Sequence, residues 1–183
     1  MLNLPNILTI ARILILPLMF ACFLLETSYG ASAIWACFVL YVIASVTDFF
    51  DGWIARKYNL ITAFGTFLDP ISDKIFVGCL MVILVGFGRL EGVWLIPVLL
   101  IMFREFLVSG LREFLGPKNI QMPVTNLAKW KTASQMVALG FIILAPIVPL
   151  ADIGGKALLC IAALLTLITG FSYMKAGWAH LKG

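Results

Sequence analysis

The stretch TDFFDGWIARKYNLITAFGTFLDPISDK, Thr47–Lys74, decides how this chain folds. It joins two apolar runs, about Ala33–Phe50 before it and about Ile71–Phe87 after it. It also holds Asp48, Asp51, Asp69 and Asp73, four of the nine acidic residues in the chain. Asp48 and Asp51 are three apart at the end of the first run, and Asp69 and Asp73 are four apart near the start of the second. Both spacings put the paired carboxylates on one helical face. A turn between the runs brings the helix ends together, so four carboxylates can converge on one point. A solvated loop would explain the acids alone, but Phe49, Phe50, Trp53, Phe64 and Phe67 lie among them, a poor composition for a wet loop.

Outward from this stretch, apolar runs continue in both directions. They cover about Ile7–Leu25 (interrupted by Arg12 and Pro17), Val93–Phe114, Thr132–Val148 and Lys156–Trp178. Of 183 residues, 62% are hydrophobic and 12% charged. That excludes a disordered chain and argues against a soluble domain, in which roughly 45–50% apolar is usual. A membrane helix takes about 20 apolar residues, so the expected fold is all-α and polytopic, with six transmembrane helices in a bundle. Pro5, Asn6 and Thr9 predict an interfacial turn leading into the first span. Short turn-rich links at Glu26–Ser32, Gly86–Gly92 and Pro146–Gly155 predict antiparallel neighbours. No Lys or Arg precedes the first run and no A-x-A site follows it, so this segment is expected to be retained.

The net charge of +4 could suit nucleic acid, but at this hydrophobicity it fits basic residues on one bilayer face, and no nucleic-acid partner is expected. Arg56, Lys57 and Lys74 flank the second link. Arg104, Arg112, Lys118, Lys129 and Lys131 flank the fourth, and Lys175 and Lys182 follow the last span. Only Arg89 and Lys156 fall on the other side. The positive-inside rule then puts both termini and these links in the cytoplasm. Cys22, Cys37, Cys79 and Cys160 are dispersed in apolar runs with no C-x-x-C pair, and read as core residues. His180 has no ligating neighbours in sequence and reads as an interfacial side chain. Ala162, Thr166 and Gly170 form a small-xxx-small row that fits packing within the chain or a contact between copies.

Four carboxylates at a membrane surface repel one another and are costly to desolvate. Mg²⁺ or Mn²⁺, which take oxygen ligands, would resolve both problems. Four Asp could hold two ions about 3.5–4 Å apart, an arrangement suited to phosphoryl displacement. Gly52, Ala55 and Gly65 would let a ligand approach the backbone closely, or would serve helix packing. Arg56 can grip a phosphate in a forked geometry. Arg104 and Arg112, two turns apart on one helix face, and Lys129 and Lys131 form a second cationic group. It is either an anion clamp or ordinary positive-inside residues pairing with Glu105 and Glu113. Arg12 has two readings: a polar contact to a phosphate, or a side chain snorkelling to the interface.

The pattern D-x2-D-G-x2-A-R-x8-G-x3-D-x3-D is filled at every position, by Asp48, Asp51, Gly52, Ala55, Arg56, Gly65, Asp69 and Asp73. At these residues the chain resembles the CDP-alcohol phosphotransferase family. The opening LPNILTIARILILP, the FREFLVSGLRE of the fourth run and the KWKTASQM before the fifth are similar to the branch whose acceptor is sn-glycerol 3-phosphate. Ala128 stands where that branch has glycine. The resemblance implies one integral-membrane transferase domain over 1–183, in a bacterial cytoplasmic membrane, acting in phospholipid biosynthesis and forming a homodimer. It implies transfer of a phosphatidyl group from CDP-diacylglycerol to glycerol 3-phosphate with release of CMP.

On that resemblance Asp48, Asp51, Asp69 and Asp73 hold the metal ions, and Asp69 and Asp73 are catalytic, with Asp73 the base for the attacking hydroxyl. A metal-bound alkoxide would make that base unnecessary. Gly52, Ala55, Arg56 and Gly65, with Asn6, Thr9 and Arg12, contact the nucleotide lipid. Arg104, Arg112, Lys129 and Lys131 take the acceptor phosphate. Sibling enzymes that use inositol phosphate, serine or phosphatidylglycerol are the nearest alternatives. A cation transporter is a more distant one, because the acids sit at one end of their helices and not at mid-membrane.

Overall fold

The computed structural model describes residues 3–58, 62–116 and 126–181, without the side chains at 4, 49, 51–56 and 179–181. The described residues form six α-helices: α1 Leu4–Tyr29, α2 Ala31–Lys57, α3 Ala63–Gly86, α4 Leu95–Leu115, α5 Asn126–Leu144 and α6 Pro149–Leu181. A single 3₁₀ turn, Gly92–Trp94, leads into α4. Four helices contain stretches long and apolar enough to cross a membrane, Pro5–Tyr29, Ala31–Asp48, Gly92–Leu115 and Pro149–Trp178. In α3, Asp69, Asp73 and Lys74 shorten the apolar run, as Lys129 and Lys131 do in α5.

The first helix begins at Leu4, where an interfacial turn was expected. The Asn3 side chain accepts from the Asn6 amide at 3.2 Å, and Pro5 sits in the first turn, where its missing N–H leaves no gap. At the other end the helix runs to Tyr29, and one residue, Gly30, replaces the loop expected over Glu26–Ser32. Gly30 takes φ 51° and donates to the Glu26 carbonyl at 2.8 Å, a backbone state that a side chain would strain. Glu26 lies within the helix, and Arg89 pairs with it from beyond α3. Likewise α6 opens at Pro149, inside the link expected over Pro146–Gly155, because proline suits a first helical turn.

The described chain divides into two compact units, Met1–Arg89 with Ile142–Asp152, and Leu90–Phe141 with Ile153–Gly183. In the first, α1 packs along both α2 and α3. Tyr41 of α2 stacks on Phe76 of α3 at 6.1 Å, and Phe23 of α1 stacks on Phe87 at 5.2 Å. In the second, Lys156 of α6 lies 5.5 Å over the Trp94 ring. Leu14, Leu18, Leu99, Phe103, Leu164 and Phe171 are exposed, while Asn6, Thr9, Arg12, Arg104, Lys131, Gln135 and Thr169 are buried. Apolar side chains outward and polar ones inward is what lipid demands, since hydrocarbon gains nothing from hiding leucine and penalises an exposed charge.

Candidate active site

Thr62 begins α3 as an N-cap, its hydroxyl accepting from the Gly65 amide at 3.0 Å. This starts the helix eight residues before the expected Ile71 and places Gly65, Asp69 and Asp73 on it at turn spacing. Pro70 is accommodated within the helix. Along α1, Asn6, Thr9 and Arg12 recur every three residues, so they share a face, and all three are buried.

Each of the three meets α3 or its cap. Asn6 Nδ2 donates to Thr62 Oγ1 at 3.0 Å, the Thr9 hydroxyl donates to Asp69 Oδ1 at 3.1 Å, and Arg12 Nη1 donates to Asp73 Oδ1 at 2.6 Å. The partners advance in the same direction on both helices, so α1 and α3 run parallel. Arg12 Nη1 also pairs with Asp48 of α2 and donates to Ser72 Oγ at 3.2 Å. Arg12 is 2% exposed, so it does not snorkel. The side chains of Asp48 and Asp73 remain 44% and 56% exposed.

The carboxylates are therefore only partly gathered. Asp48 and Asp73 meet at one cation, and Asp69 turns toward Thr9. Among the described residues no three acidic, His or Cys groups form a metal-binding set. The side chains of Asp51, Gly52, Ala55 and Arg56 lie outside the described residues. Gly65 has a packing reason for being glycine: a Cβ there would lie 2.6 Å from Asn6 Oδ1.

The second unit has its own charged group. Arg104 Nη2 donates to Thr169 Oγ1 at 3.1 Å and Arg112 Nη2 to the Tyr173 hydroxyl at 3.2 Å. Both guanidinium carbons lie over the Tyr173 ring, at 5.5 and 5.1 Å from its centre. The expected shared face of Arg104 and Arg112 is thus realised. Glu105 pairs with Lys131 and with Arg104, the latter at 3.3 Å. Lys129 is exposed and lies apart from this group in direction, because residues two apart point to opposite sides of a helix. The row Ala162, Thr166, Gly170 is buried, and a Cβ at Gly170 would lie 3.0 Å from Arg104 Cγ, so packing within the chain accounts for it.

Ser72, Thr169 and Tyr173 are not singled out by the sequence. Ser72 is signalled only by lying between Asp69 and Asp73. Thr169 and Tyr173 lie four apart at the charged end of α6. Glu105 is expected from sequence as a pairing partner of the cations, and the structure pairs it with Lys131 and Arg104.

Long helices that turn apolar side chains outward, bury Arg12, Arg104 and Lys131 and set partly exposed carboxylates against them define a membrane protein with charged chemistry held at its helix ends. A family model described as CDP-alcohol phosphatidyltransferase matches residues 2–171, and the chain belongs to that family. It is 52% identical over 178 residues to a CDP-diacylglycerol–glycerol-3-phosphate 3-phosphatidyltransferase of Rickettsia felis, covering 95% of this chain and 94% of that one. An enzyme of the same name from Cereibacter sphaeroides is 37% identical over 217 residues, covering 98% and 97%. A cardiolipin synthase (CMP-forming) of Oryza sativa is 37% identical over 198 residues, covering 99% of this chain and 59% of that one.

Proposed function

We infer that this chain is a membrane transferase that moves the phosphatidyl group of CDP-diacylglycerol onto sn-glycerol 3-phosphate, forming phosphatidylglycerophosphate and releasing CMP. The observation that carries the reading is the meeting of Asp48 and Asp73, from two helices of the family motif, at one buried cation. The 52% identity to a relative of that name, along nearly all of both chains, supports the acceptor.

The donor set is all oxygen, which suits Mg²⁺ or Mn²⁺, and Arg12 already occupies a position that draws positive charge. Asp48, Asp51, Asp69 and Asp73 would hold the ions. Bound there, the ions would neutralise the pyrophosphate and the charge developing on CMP. Gly52, Ala55 and Arg56 seat the cytidine and its phosphate, while Gly65 keeps room for Asn6, and Asn6 and Thr9 hold the α3 end that faces the donor. Asp73 accepts the proton of the attacking primary hydroxyl, its exposed oxygens being the ones within reach of solvent and substrate. Arg104, Arg112 and Lys131, with Lys129 at the surface, bind the acceptor phosphate as paired donors. The chain acts in the bacterial cytoplasmic membrane as one domain of six spans, as a homodimer, with both termini and the site toward the cytoplasm.

An acceptor screen tests this. Purified protein in liposomes receives CDP-diacylglycerol and Mg²⁺, then glycerol 3-phosphate, inositol phosphate, serine or phosphatidylglycerol. CMP release with glycerol 3-phosphate alone is expected. Release with phosphatidylglycerol alone would move the chain to the cardiolipin synthase reaction named for its rice relative.

A further inference from the structure

Arg12 is the one member of the α1 stripe that carries charge, and it sits where the motif's carboxylates would otherwise repel. One nitrogen, Nη1, serves Asp48 from α2 and Asp73 from α3, and Ser72 holds it there at 3.2 Å. Both acids keep about half their surface in contact with solvent, while the arginine keeps almost none. A partner for an incoming phosphate would present its nitrogens outward; this one presents Nη1 to acids of its own chain.

We propose that Arg12 is the built-in counter-ion of the carboxylate cluster, holding Asp48 and Asp73 together in the metal-free protein and competing with divalent cations for them. The inference rests on the metal role proposed above. The physical argument is linkage. A fixed positive charge beside a carboxylate lowers the benefit of adding a second cation there. It also removes the like-charge strain that a cation would otherwise relieve. Arg12 therefore stabilises the metal-free fold and weakens metal binding, so divalent affinity reflects the difference between the two cations. The arginine is a positioning residue, acting through the aspartates.

The test uses the full-length protein in detergent, with Mn²⁺ alone as the probe. Free Mn²⁺ is counted by its electron paramagnetic resonance signal, and unfolding temperature is measured with and without the ion. Wild type is expected to bind Mn²⁺ and Asp69→Asn to lose that binding. Arg12→Gln is expected to unfold at lower temperature without metal, to recover most of the loss with Mn²⁺, and to bind Mn²⁺ about tenfold more tightly, equivalent to about 1.4 kcal/mol. A merely structural arginine would lower the unfolding temperature equally in both conditions. Arg12→Lys, whose compact and strongly hydrated ammonium sits less favourably at a buried position than a guanidinium, is expected to bind Mn²⁺ two- to threefold more tightly than wild type (about 0.4–0.7 kcal/mol). It carries the test if the glutamine variant does not survive purification. Equal or weaker Mn²⁺ affinity in the measurable variant, with Asp69→Asn still defective, overturns the counter-ion role alone. No Mn²⁺ binding by wild type overturns the metal reading and this inference with it.

Discussion

The two units solve the same electrostatic problem with opposite signs. In the first, a buried cation, Arg12, draws together acids that stay half exposed. In the second, one acid, Glu105, with a quarter of its side chain exposed, draws together the cations Lys131 and Arg104, which are nearly buried. Desolvation explains the pattern: a membrane protein that keeps a charged group inside must supply its counter-charge from the chain. Each unit therefore carries an internal stand-in for the ligand proposed to bind it, a guanidinium for a metal ion and a carboxylate for a phosphate.

The sharpest break in this comparison is expected at Asp69, which is tied to Thr9 and not to Arg12. Asp69→Asn should lower turnover by about three orders of magnitude, since metal-held charge stabilisation contributes several kcal/mol. The protein should still elute as folded on size exclusion; turnover within tenfold of wild type would remove Asp69 from the metal set. Next is Arg112, which lies over Tyr173 and, unlike Arg104 and Lys131, does not share Glu105. Arg112→Ala should raise the KM for glycerol 3-phosphate roughly 10- to 100-fold, the worth of a charge-assisted hydrogen bond, with the KM for CDP-diacylglycerol unchanged. A rise in both would show that the basic group is not dedicated to the acceptor.

Glu105→Gln is the mirror of the arginine substitution. It leaves Lys131 buried without its carboxylate, and should destabilise the unliganded protein by about 2 kcal/mol, less than a fully buried pair because Glu105 is partly wet. Adding glycerol 3-phosphate should recover that loss, and the acceptor KM should fall severalfold. Thermal melts with and without the acceptor read both effects. A loss that the acceptor does not repair would make Glu105 an ordinary structural partner and end the symmetry with Arg12.

Much of this was legible in sequence, for identifiable reasons. The spacing of Asp48, Asp69 and Asp73 and the shared face of Arg104 and Arg112 follow from helical periodicity, a local property. Helix ends were harder. Glu26 reads locally as a loop residue, yet it lies within α1 and its partner is Arg89, 63 positions away, which no local pattern shows. Arg12 was the hardest, because an arginine inside an apolar run has the same local pattern whether it snorkels, binds lipid phosphate or bridges two aspartates. Only the parallel register of α1 and α3, which sets Asn6 on Thr62 and Thr9 on Asp69, brings it to Asp73. Lys129 and Lys131 looked equivalent as neighbours in a basic run, yet two residues on a helix face apart, and only Lys131 turns inward.

The smallest expected effect compares the glycines that admit these polar side chains. Alanine in place of either glycine gains about 1 kcal/mol of helix propensity. At Gly65 the new Cβ would stand 2.6 Å from Asn6 Oδ1, an atom on a short side chain already held by Thr62. Overpacking of that kind costs about 1–3 kcal/mol, so Gly65→Ala should lower the unfolding temperature and disturb Mn²⁺ binding through α1. At Gly170 the Cβ would stand 3.0 Å from Arg104 Cγ, part of a long side chain that can give way. Gly170→Ala should therefore leave stability unchanged within about 0.5 kcal/mol. Its mark should be a roughly twofold rise in acceptor KM, about 0.4 kcal/mol, as the guanidinium shifts from Thr169 and Tyr173. Equal destabilisation by the two alanines would mean that Arg104 is held as rigidly as Asn6, and that the cationic group is a fixed part of the packing instead of an adjustable clamp.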